Sequence, residues 1–511
     1  MYLTQPLHRA AQQTPDQLFT VYGERGTTVR ETCAVVSRIA GGLKALGVAG
    51  GDRVGLLALN TDRFCQAVLG IAWADAVVVP VNTRWSVKEI AYSLEEADVS
   101  VLLVDDPFTG LVDELHARAP QLRTVVHCGD GERPGTLMPW EELAAAEPVE
   151  DAHRRGDTLA GIFYTGGTTG VPKGVMLGQR QICMAAMGML TAQSQVPHGG
   201  AAVLVAPAFH MAGFSAWVAG MLVNAVTVPL PVFDPALVMR AIARHGAKQT
   251  LLVPTMLQMI VDHPDVGEHD LSSLELLIYG ASPISEAVLG RARGVFTSAR
   301  FLQAYGMTEL SPATSFLVDE DHEDPVLRRS AGRASPFARV RIVDPLDQEV
   351  PRGTVGEIVA AGDHVMLGYW KKPRETAEAV RDGWMHTGDG GYMDERGYVY
   401  VVDRIKDMII SGGENVYSTE VENAVARHPS VSQVAVIGVP DAQWGERVHA
   451  VVGLAPGAAL TLDELRRFCK REIAGYKCPR SLEIVAQFPI SAAGKILKRE
   501  LRATATGGDQ G

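Results

Sequence analysis

The sequence carries no basic surplus. Its 47 lysines and arginines are outnumbered by 59 acidic residues, for a formal net charge of -12. A general nucleic-acid or anionic-membrane surface needs a basic face to displace counterions or meet headgroups, so the charge argues against both as partners, and any polyanionic ligand must be met locally. Closely paired cysteines are missing as well. Cys33, Cys65, Cys128, Cys183, Cys469 and Cys478 are scattered, without the spacing of a zinc site or a disulfide framework, and reduced thiols are expected. The amino end lacks the basic start and apolar run of a secretory signal, and the carboxyl end, Gly-Gly-Asp-Gln-Gly, is no lipidation or peroxisomal signal, so a cytoplasmic location is expected. No apolar run of membrane length is uninterrupted. The longest, residues 203–230, is broken by Pro207, His210, Asn224 and Pro229, as a strand, a loop and a buried helix would be, and integral membrane association is not expected.

What remains is ordinary globular material of 511 residues, 47% hydrophobic and 21% charged, long enough for a large core and a further domain. Short runs rich in Val, Ile and Leu at 54–60, 99–105, 251–254 and 274–280 read as strands buried on both faces. They alternate with stretches of helical period such as 29–48. The pattern predicts an α/β domain of mostly parallel sheet with crossover helices. From about Val355 shorter runs with Gly and Asp turns, 355–361 and 397–402, indicate a β-rich subdomain. A boundary is expected near Asp403. Beyond it, 431–439, 448–454 and a helix over 462–474, opened by a Thr461/Glu464 capping box, predict a small α+β domain. The expected division is therefore 1–402, a hinge at 403–407, a mobile domain at 408–503 and a flexible polar tail at 504–511. No internal repeat is present.

One loop carries evident chemistry. Tyr164-Thr165-Gly166-Gly167-Thr168-Thr169-Gly170-Val171-Pro172-Lys173-Gly174 follows the apolar residues 159–163. Glycines let backbone N–H groups approach an anion, hydroxyls add donors, and lysine adds a positive charge, so the loop is read as phosphate-handling. It is no Walker A loop, because the Gly-Lys-Ser/Thr ending is absent. The string resembles the signature loop of the adenylate-forming superfamily of acyl-CoA synthetases, peptide-synthetase adenylation domains and luciferases, and the chain as a whole is most like the acyl-CoA synthetases. One position departs from the pattern: Gly167 stands where the family carries serine. The change removes one hydroxyl, while the backbone donors stay.

Further motifs occur in the family's order over nearly the whole chain. By this resemblance, Gly280-Ala281-Ser282-Pro283 borders adenine and the acyl pocket, and in Tyr305-Gly306-Met307-Thr308-Glu309 the ring stacks near adenine, Thr308 contacts phosphate and Glu309 holds magnesium. Standing alone, Glu309 would be read as a solvated surface acid. Thr387-Gly388-Asp389 resembles the ribose-binding motif. Gly494-Lys495 matches the catalytic lysine motif, where Lys495 neutralises charge on the α-phosphate and the attacking carboxylate. Asp403-Arg404 resembles the hinge, with Asp403 as pivot and Arg404 reaching ribose or α-phosphate. Gly412, Gly413, Glu414 and Trp444 fall on segments the family places along the pantetheine tunnel of coenzyme A, and Lys477 adds to a basic region of the kind that binding the coenzyme's phosphates would require. Arg480 and the run Arg466, Arg467, Lys470 and Arg471 make that region basic, although the run also fits one solvated helix face. In Phe209-His210-Met211-Ala212-Gly213-Phe214, His210 resembles the residue that gates the acid pocket, a role a lone histidine among apolar residues would not otherwise be given.

The resemblance implies an ATP-dependent acid:CoA ligase that uses magnesium and coenzyme A and acts on a carboxylic acid. His210, Phe214, Ala281, Gly306 and Met307, small or apolar apart from the histidine, point to a hydrophobic acid. Two alternatives stand beside it: transfer to a thiol on a separate acyl carrier protein, and a non-catalytic nucleotide-binding homologue. The oligomeric state is left open, a homodimer being compatible with the sequence.

Overall fold

The computed structural model describes residues 1–165, 172–192, 199–282, 284–412, 414–490 and 496–507. The chain divides into two units, one of Met1–Ala281, Gly290–Val340 and Ala360–Met385, the other of Ser282–Leu289, Arg341–Val359 and His386–Gly511.

The first unit is built on two large sheets. In a nine-stranded sheet the six central strands, Arg300–Tyr305, Leu276–Gly280, Gln249–Leu252, Ala201–Leu204, Val226–Pro229 and Leu18–Tyr22, run parallel, with antiparallel strands at both edges. In an eight-stranded sheet Leu159–Thr165, Val77–Pro80, Arg53–Leu57 and Val101–Val104 form the parallel centre. Lys173–Gly178 and Gly368–Tyr369 close one edge antiparallel. The strands are continuous apolar runs because helices cover both faces of a parallel sheet. Helix Val29–Ala45 starts where its periodic apolar stripe starts, after a Thr28/Glu31 capping box. Its buried Val36, Ile39 and Leu43 join one continuous core with helices Asp62–Trp73 and Met211–Leu222. The 203–230 run resolves into a strand, a loop, that last helix and a second strand. Twelve residues of helix span about 18 Å, well short of a bilayer core. Among the described residues no helix is long and apolar enough to cross a membrane.

A five-stranded sheet holds Ala338–Val343, Gly356–Gly362 and Trp384–Met393, with Val399–Arg404 paired to the last of these. This is the β-rich subdomain expected after Val355, and the division between units falls inside its first three strands. In the second unit the long pair Val431–Asp441 and Gly445–Leu454 forms the centre of a further five-stranded sheet. Its side chains alternate between two small cores, Val436, Val448 and Val452 on one face and Ala435, Ile437 and Val451 on the other, the period-two pattern of a sheet covered on both sides.

Two boundaries differ from expectation. The helix opened by the Thr461/Glu464 capping box ends at Cys469 rather than 474, because Arg471 and Glu472 turn back onto Phe468 and Cys469 in tighter turns ahead of Gly475 and Pro479. The tail is shorter than predicted. Helix Lys498–Gly507 runs through residues 504–507, since Thr504 and Thr506 donate to Glu500 and Arg502 carbonyls and Leu501 and Ala505 pack on the small core. Residues 508–511 lie outside the described residues. The six cysteines are all unpaired and five are buried. Burial pushes the half-buried Cys33 thiol up to about 11, so it stays a protonated, inert thiol at neutral pH.

Candidate functional site

In the first unit the phosphate-handling loop is anchored by its two ends. Thr165 ends one strand and Lys173 begins the next, and the two residues are cross-strand partners. Gly166, Gly167, Thr168, Thr169 and Gly170 lie outside the described residues. Beside Lys173 runs the short strand Gly368–Tyr369, paired to Met176 and Val175. This brings the Lys173 Nζ to 5.0 Å from the centroid of the Tyr369 ring, a cation–π distance. The hydroxyl of the same tyrosine donates to Glu309 Oε1 at 2.8 Å. Burial and the adjacent Glu309 charge push that phenol far above its usual range, so it is a fixed donor. Tyr369 thus joins the loop lysine to the candidate magnesium carboxylate, two residues far apart in sequence.

Glu309 is itself buried, in a short turn Thr308–Leu310. The segment before Tyr369 braces this turn: Met366 N–H donates to the Glu309 carbonyl at 2.9 Å, and Ser311 Oγ to the His364 carbonyl at 2.7 Å. His364 is fully buried, with Nε2 3.1 Å from Thr314 Oγ1, and burial pulls its pKa down to about 4. It is therefore neutral at ordinary pH.

The turn follows strand Arg300–Tyr305, and Gly280 pairs with Ala304 on the neighbouring parallel strand. Gly280-Ala281 and Tyr305-Gly306-Met307 therefore emerge side by side at the carboxyl ends of adjacent strands, where open α/β sheets place ligands. Backbone geometry supports a site here: Ala281 holds a left-handed φ of 67°, and a Cβ on Gly306 would lie 2.2 Å from the Pro312 carbonyl oxygen. Non-glycine residues in that region are strained and cluster at ligand sites. Ser282 begins a segment of the second unit.

His210 is the N-cap residue of helix Met211–Leu222, its ring 4.5 Å from that of Phe209. Phe214 is the pocket-wall candidate. It is fully buried and packs edge-on against Phe163 and Trp217. A small cavity of about 20 Å³ lies along Gly213, Ala216 and Gly220 of the same helix, over Ala202, Leu204 and Ala206. One residue on a helix is about 100° of rotation, which separates Gly213 from Phe214.

In the second unit Asp389 and Arg404 are cross-strand partners. Arg404 Nε lies 2.7 Å from Asp389 Oδ1, and its Nη1 donates to the Thr387 carbonyl at 3.0 Å. Thr387 Oγ1 donates to the Ile358 carbonyl and accepts from Asp389 N–H. The candidate ribose carboxylate is thus buried and oriented by a cation that sequence assigned to a separate motif. Asp403, the next residue back, is buried and accepts from Arg404 N–H at 2.8 Å and from Ser418 N–H. Its carboxylate sits at the amino end of helix Ser418–Ala426, where the helix dipole favours a negative charge. Lys498 Nζ donates to Ser418 Oγ and pairs with Glu422, tying the terminal helix to the same corner.

Of the coenzyme A candidates, Gly412 and Trp444 meet directly. Gly412 has a φ of 65° and donates its N–H to the Trp444 carbonyl. A Cβ there would lie 3.0 Å from the indole ring. The Arg480 guanidinium lies 3.7 Å from the centroid of the Trp444 ring. Glu414 pairs with Ser411 in a hairpin. Lys477 is already occupied: Glu420 accepts from it with both oxygens at 2.8 Å. Burial opposes the Lys477 charge, but the carboxylate outweighs it and holds the ammonium above its usual range. Gly413 and Lys495 lie outside the described residues.

The donor set suits magnesium and nucleotide phosphate. A buried carboxylate held by a phenol, a neighbouring hydroxyl at Thr308 and a lysine at the loop exit match a hard cation with its polyphosphate. Two sheet-built units, the first with a glycine-threonine loop anchored beside a buried carboxylate, define an adenylate-forming enzyme. Residues 7–370 match the AMP-binding enzyme family and residues 420–495 its C-terminal domain; the chain belongs to this family. It is 38% identical to a feruloyl-CoA synthase of an Amycolatopsis species, over 97% of each chain. It is 36% identical to a fatty acid–[acyl-carrier-protein] ligase, ScoC, of Streptomyces coeruleorubidus, over 96% of this chain and 94% of that one. The solved structure of ATP-bound MatB from Rhodopseudomonas palustris superposes with a TM-score of 0.90 at 29% identity, over 99% of each chain. The activity is that of an AMP-forming acid:CoA ligase using ATP, magnesium and coenzyme A.

Proposed function

We propose that the chain activates a hydrophobic carboxylic acid in two half-reactions with the roles that follow. A carboxylate is a poor acyl donor until one of its oxygens is made part of a better leaving group. In the first step one carboxylate oxygen attacks the α-phosphate of ATP, giving the acyl-adenylate and releasing pyrophosphate. Residues 165–173 cradle the phosphates, Lys173 and Thr308 contact them, and Lys495 offsets charge on the α-phosphate. Tyr305, Gly280, Ala281, Ser282 and Gly306 border adenine, and Asp389 with Arg404 takes the ribose. Magnesium, when bound, supplies positive charge to the departing pyrophosphate, and Glu309 would hold it. In the second step the thiol attacks the acyl carbon, losing its proton, and AMP leaves. Asp403 is the pivot between steps, His210 gates the acid pocket with Met307 beside it, and Gly412, Gly413, Glu414, Trp444 and Lys477 line the thiol's approach.

The observation that carries this assignment is Tyr369, whose ring meets Lys173 while its hydroxyl holds Glu309. A chance surface acid would not be buried and tied to the phosphate loop. The names of the relatives, a feruloyl-CoA synthase and a fatty acid ligase, support a hydrophobic acyl group. A carrier-protein thiol in place of coenzyme A is the second reading, favoured by the likeness to ScoC. The unpaired thiols support a cytoplasmic enzyme.

Lys495→Ala tests the step assignment. Pyrophosphate release should be abolished, while thioester formation from supplied acyl-adenylate is largely retained. Equal loss of both half-reactions would sink the role given to Lys495.

A further inference from the structure

The amino-terminal segment of the first unit carries a second cluster of ligating groups, none of which has a role in the proposed ligase steps. His8 Nε2 lies 2.7 Å from Asp151 Oδ2, and His153 Nδ1 lies 3.8 Å from the same oxygen. One ligand atom from each of these three residues falls within 4.8 Å of the other two. A histidine–carboxylate pair alone would account for His8 and Asp151. It does not account for a second imidazole turned to the same oxygen.

The surroundings hold the group in place. Asp151 is buried, its side chain 2% exposed. Thr4 Oγ1 donates to its Oδ2 at 2.5 Å, and His153 N–H donates to its Oδ1 at 2.9 Å. The His8 ring stacks on Trp73 with centroids 4.8 Å apart, and the indole is itself pinned by Nε1 donating to the Val149 carbonyl at 2.8 Å. His153 has a left-handed φ of 49°, and the Tyr2 hydroxyl, 3.1 Å from its Nδ1, steadies the outer ring.

We infer that His8, Asp151 and His153 form a site for one divalent transition-metal ion of the zinc type, which fastens helix Gln5–Gln13 to the segment entering strand Leu159–Thr165. Two imidazoles and a carboxylate suit zinc and its neighbours, whereas magnesium and calcium take oxygen ligands. Donor atoms about 2.0–2.2 Å from a tetrahedral ion stand roughly 3.4 Å apart. His8 and Asp151 therefore part by a fraction of an ångström, and His153, whose side chain is 56% exposed, swings inward. His8 coordinates through Nε2 with its ring proton on Nδ1. Water takes the fourth position from the exposed side, and Thr4 is the outer partner that orients the carboxylate. The inference is independent of the ligase reading.

Cobalt(II) chloride, titrated into the tag-free full chain after EDTA treatment and buffer exchange, tests it. Four-coordinate cobalt absorbs visible light strongly; the band should saturate at one equivalent, disappear on adding zinc chloride and persist in magnesium chloride. Zinc chloride should also raise the melting temperature. His153→Asn keeps a residue that accepts a left-handed φ, and His8→Gln keeps an amide donor for Asp151. Each should weaken binding more than about 100-fold, beyond the roughly 10- to 100-fold expected of Thr4→Val as loss of an outer partner. Melting curves in EDTA check that the variants fold as the wild type does, and His153→Asn alone decides if His8→Gln does not fold. A wild-type chain without the cobalt band, or a band that His153→Asn leaves unchanged, overturns the inference.

Discussion

Tyr369→Phe isolates one hydrogen bond at the centre of the proposed adenylation site. The substitution removes the hydroxyl that donates to Glu309 at 2.8 Å and keeps the ring on which the Lys173 ammonium rests at 5.0 Å. A hydrogen bond to a charged group contributes about 1.5–3 kcal/mol. At about 1.4 kcal/mol per tenfold, ATP–pyrophosphate exchange should fall roughly 10- to 100-fold. The loss should appear as a higher magnesium requirement, because Glu309 then lacks the donor that orients it. Tyr369→Leu removes the ring too, and a partly exposed cation–π contact contributes about 0.5–1 kcal/mol. It should therefore be a further two- to fivefold slower, roughly, with the increment falling on ATP rather than magnesium. Exchange is measured at fixed acid while magnesium and ATP are varied in turn. Wild-type exchange in Tyr369→Phe, or a loss independent of magnesium, would refute the assignment of Glu309.

Asp403→Ala should lower the melting temperature of the second unit and slow thioester formation more than pyrophosphate release, since two backbone donors lose their acceptor; equal slowing of the two steps would count against a pivot. Arg480→Ala, which strips the guanidinium from the Trp444 ring, should raise KM for coenzyme A about 2- to 30-fold with adenylation unchanged, as steady-state kinetics of each half-reaction would show. Because burial depresses His364 to about 4, the unfolded chain binds the proton first as pH falls. The stability this neutral histidine supports is complete above about pH 6.5 and is lost between there and about pH 4, up to about 3 kcal/mol. Urea unfolding at pH 7 and pH 5 should show that slope, and His364→Gln should flatten it.

The fold was largely legible because parallel strands buried on both faces write themselves as apolar runs, and a capping box marks where a helix starts. Thr461/Glu464 located a helix start but not its end, since tight turns after Cys469 depend on local backbone choices. The tail to Gly507 read as disordered because small polar residues carry little periodicity, whereas Leu501 anchors it to a core formed by distant strands. Motif order named Lys173, Glu309, Asp389 and Arg404. It could not show that Arg404 grips Asp389 across a strand pair, or that Glu420 occupies Lys477. Tyr369 was missed altogether, with Gly368-Tyr369-Trp370 beside it as the only available signal.

The most direct test combines the purified chain with ATP, magnesium and a panel of fatty, aromatic and polycyclic acids, with and without coenzyme A, following pyrophosphate and identifying the acyl product. The account predicts acid-dependent pyrophosphate release and a CoA thioester that forms only when coenzyme A is present. Adenylate that accumulates and never becomes a CoA thioester would contradict it.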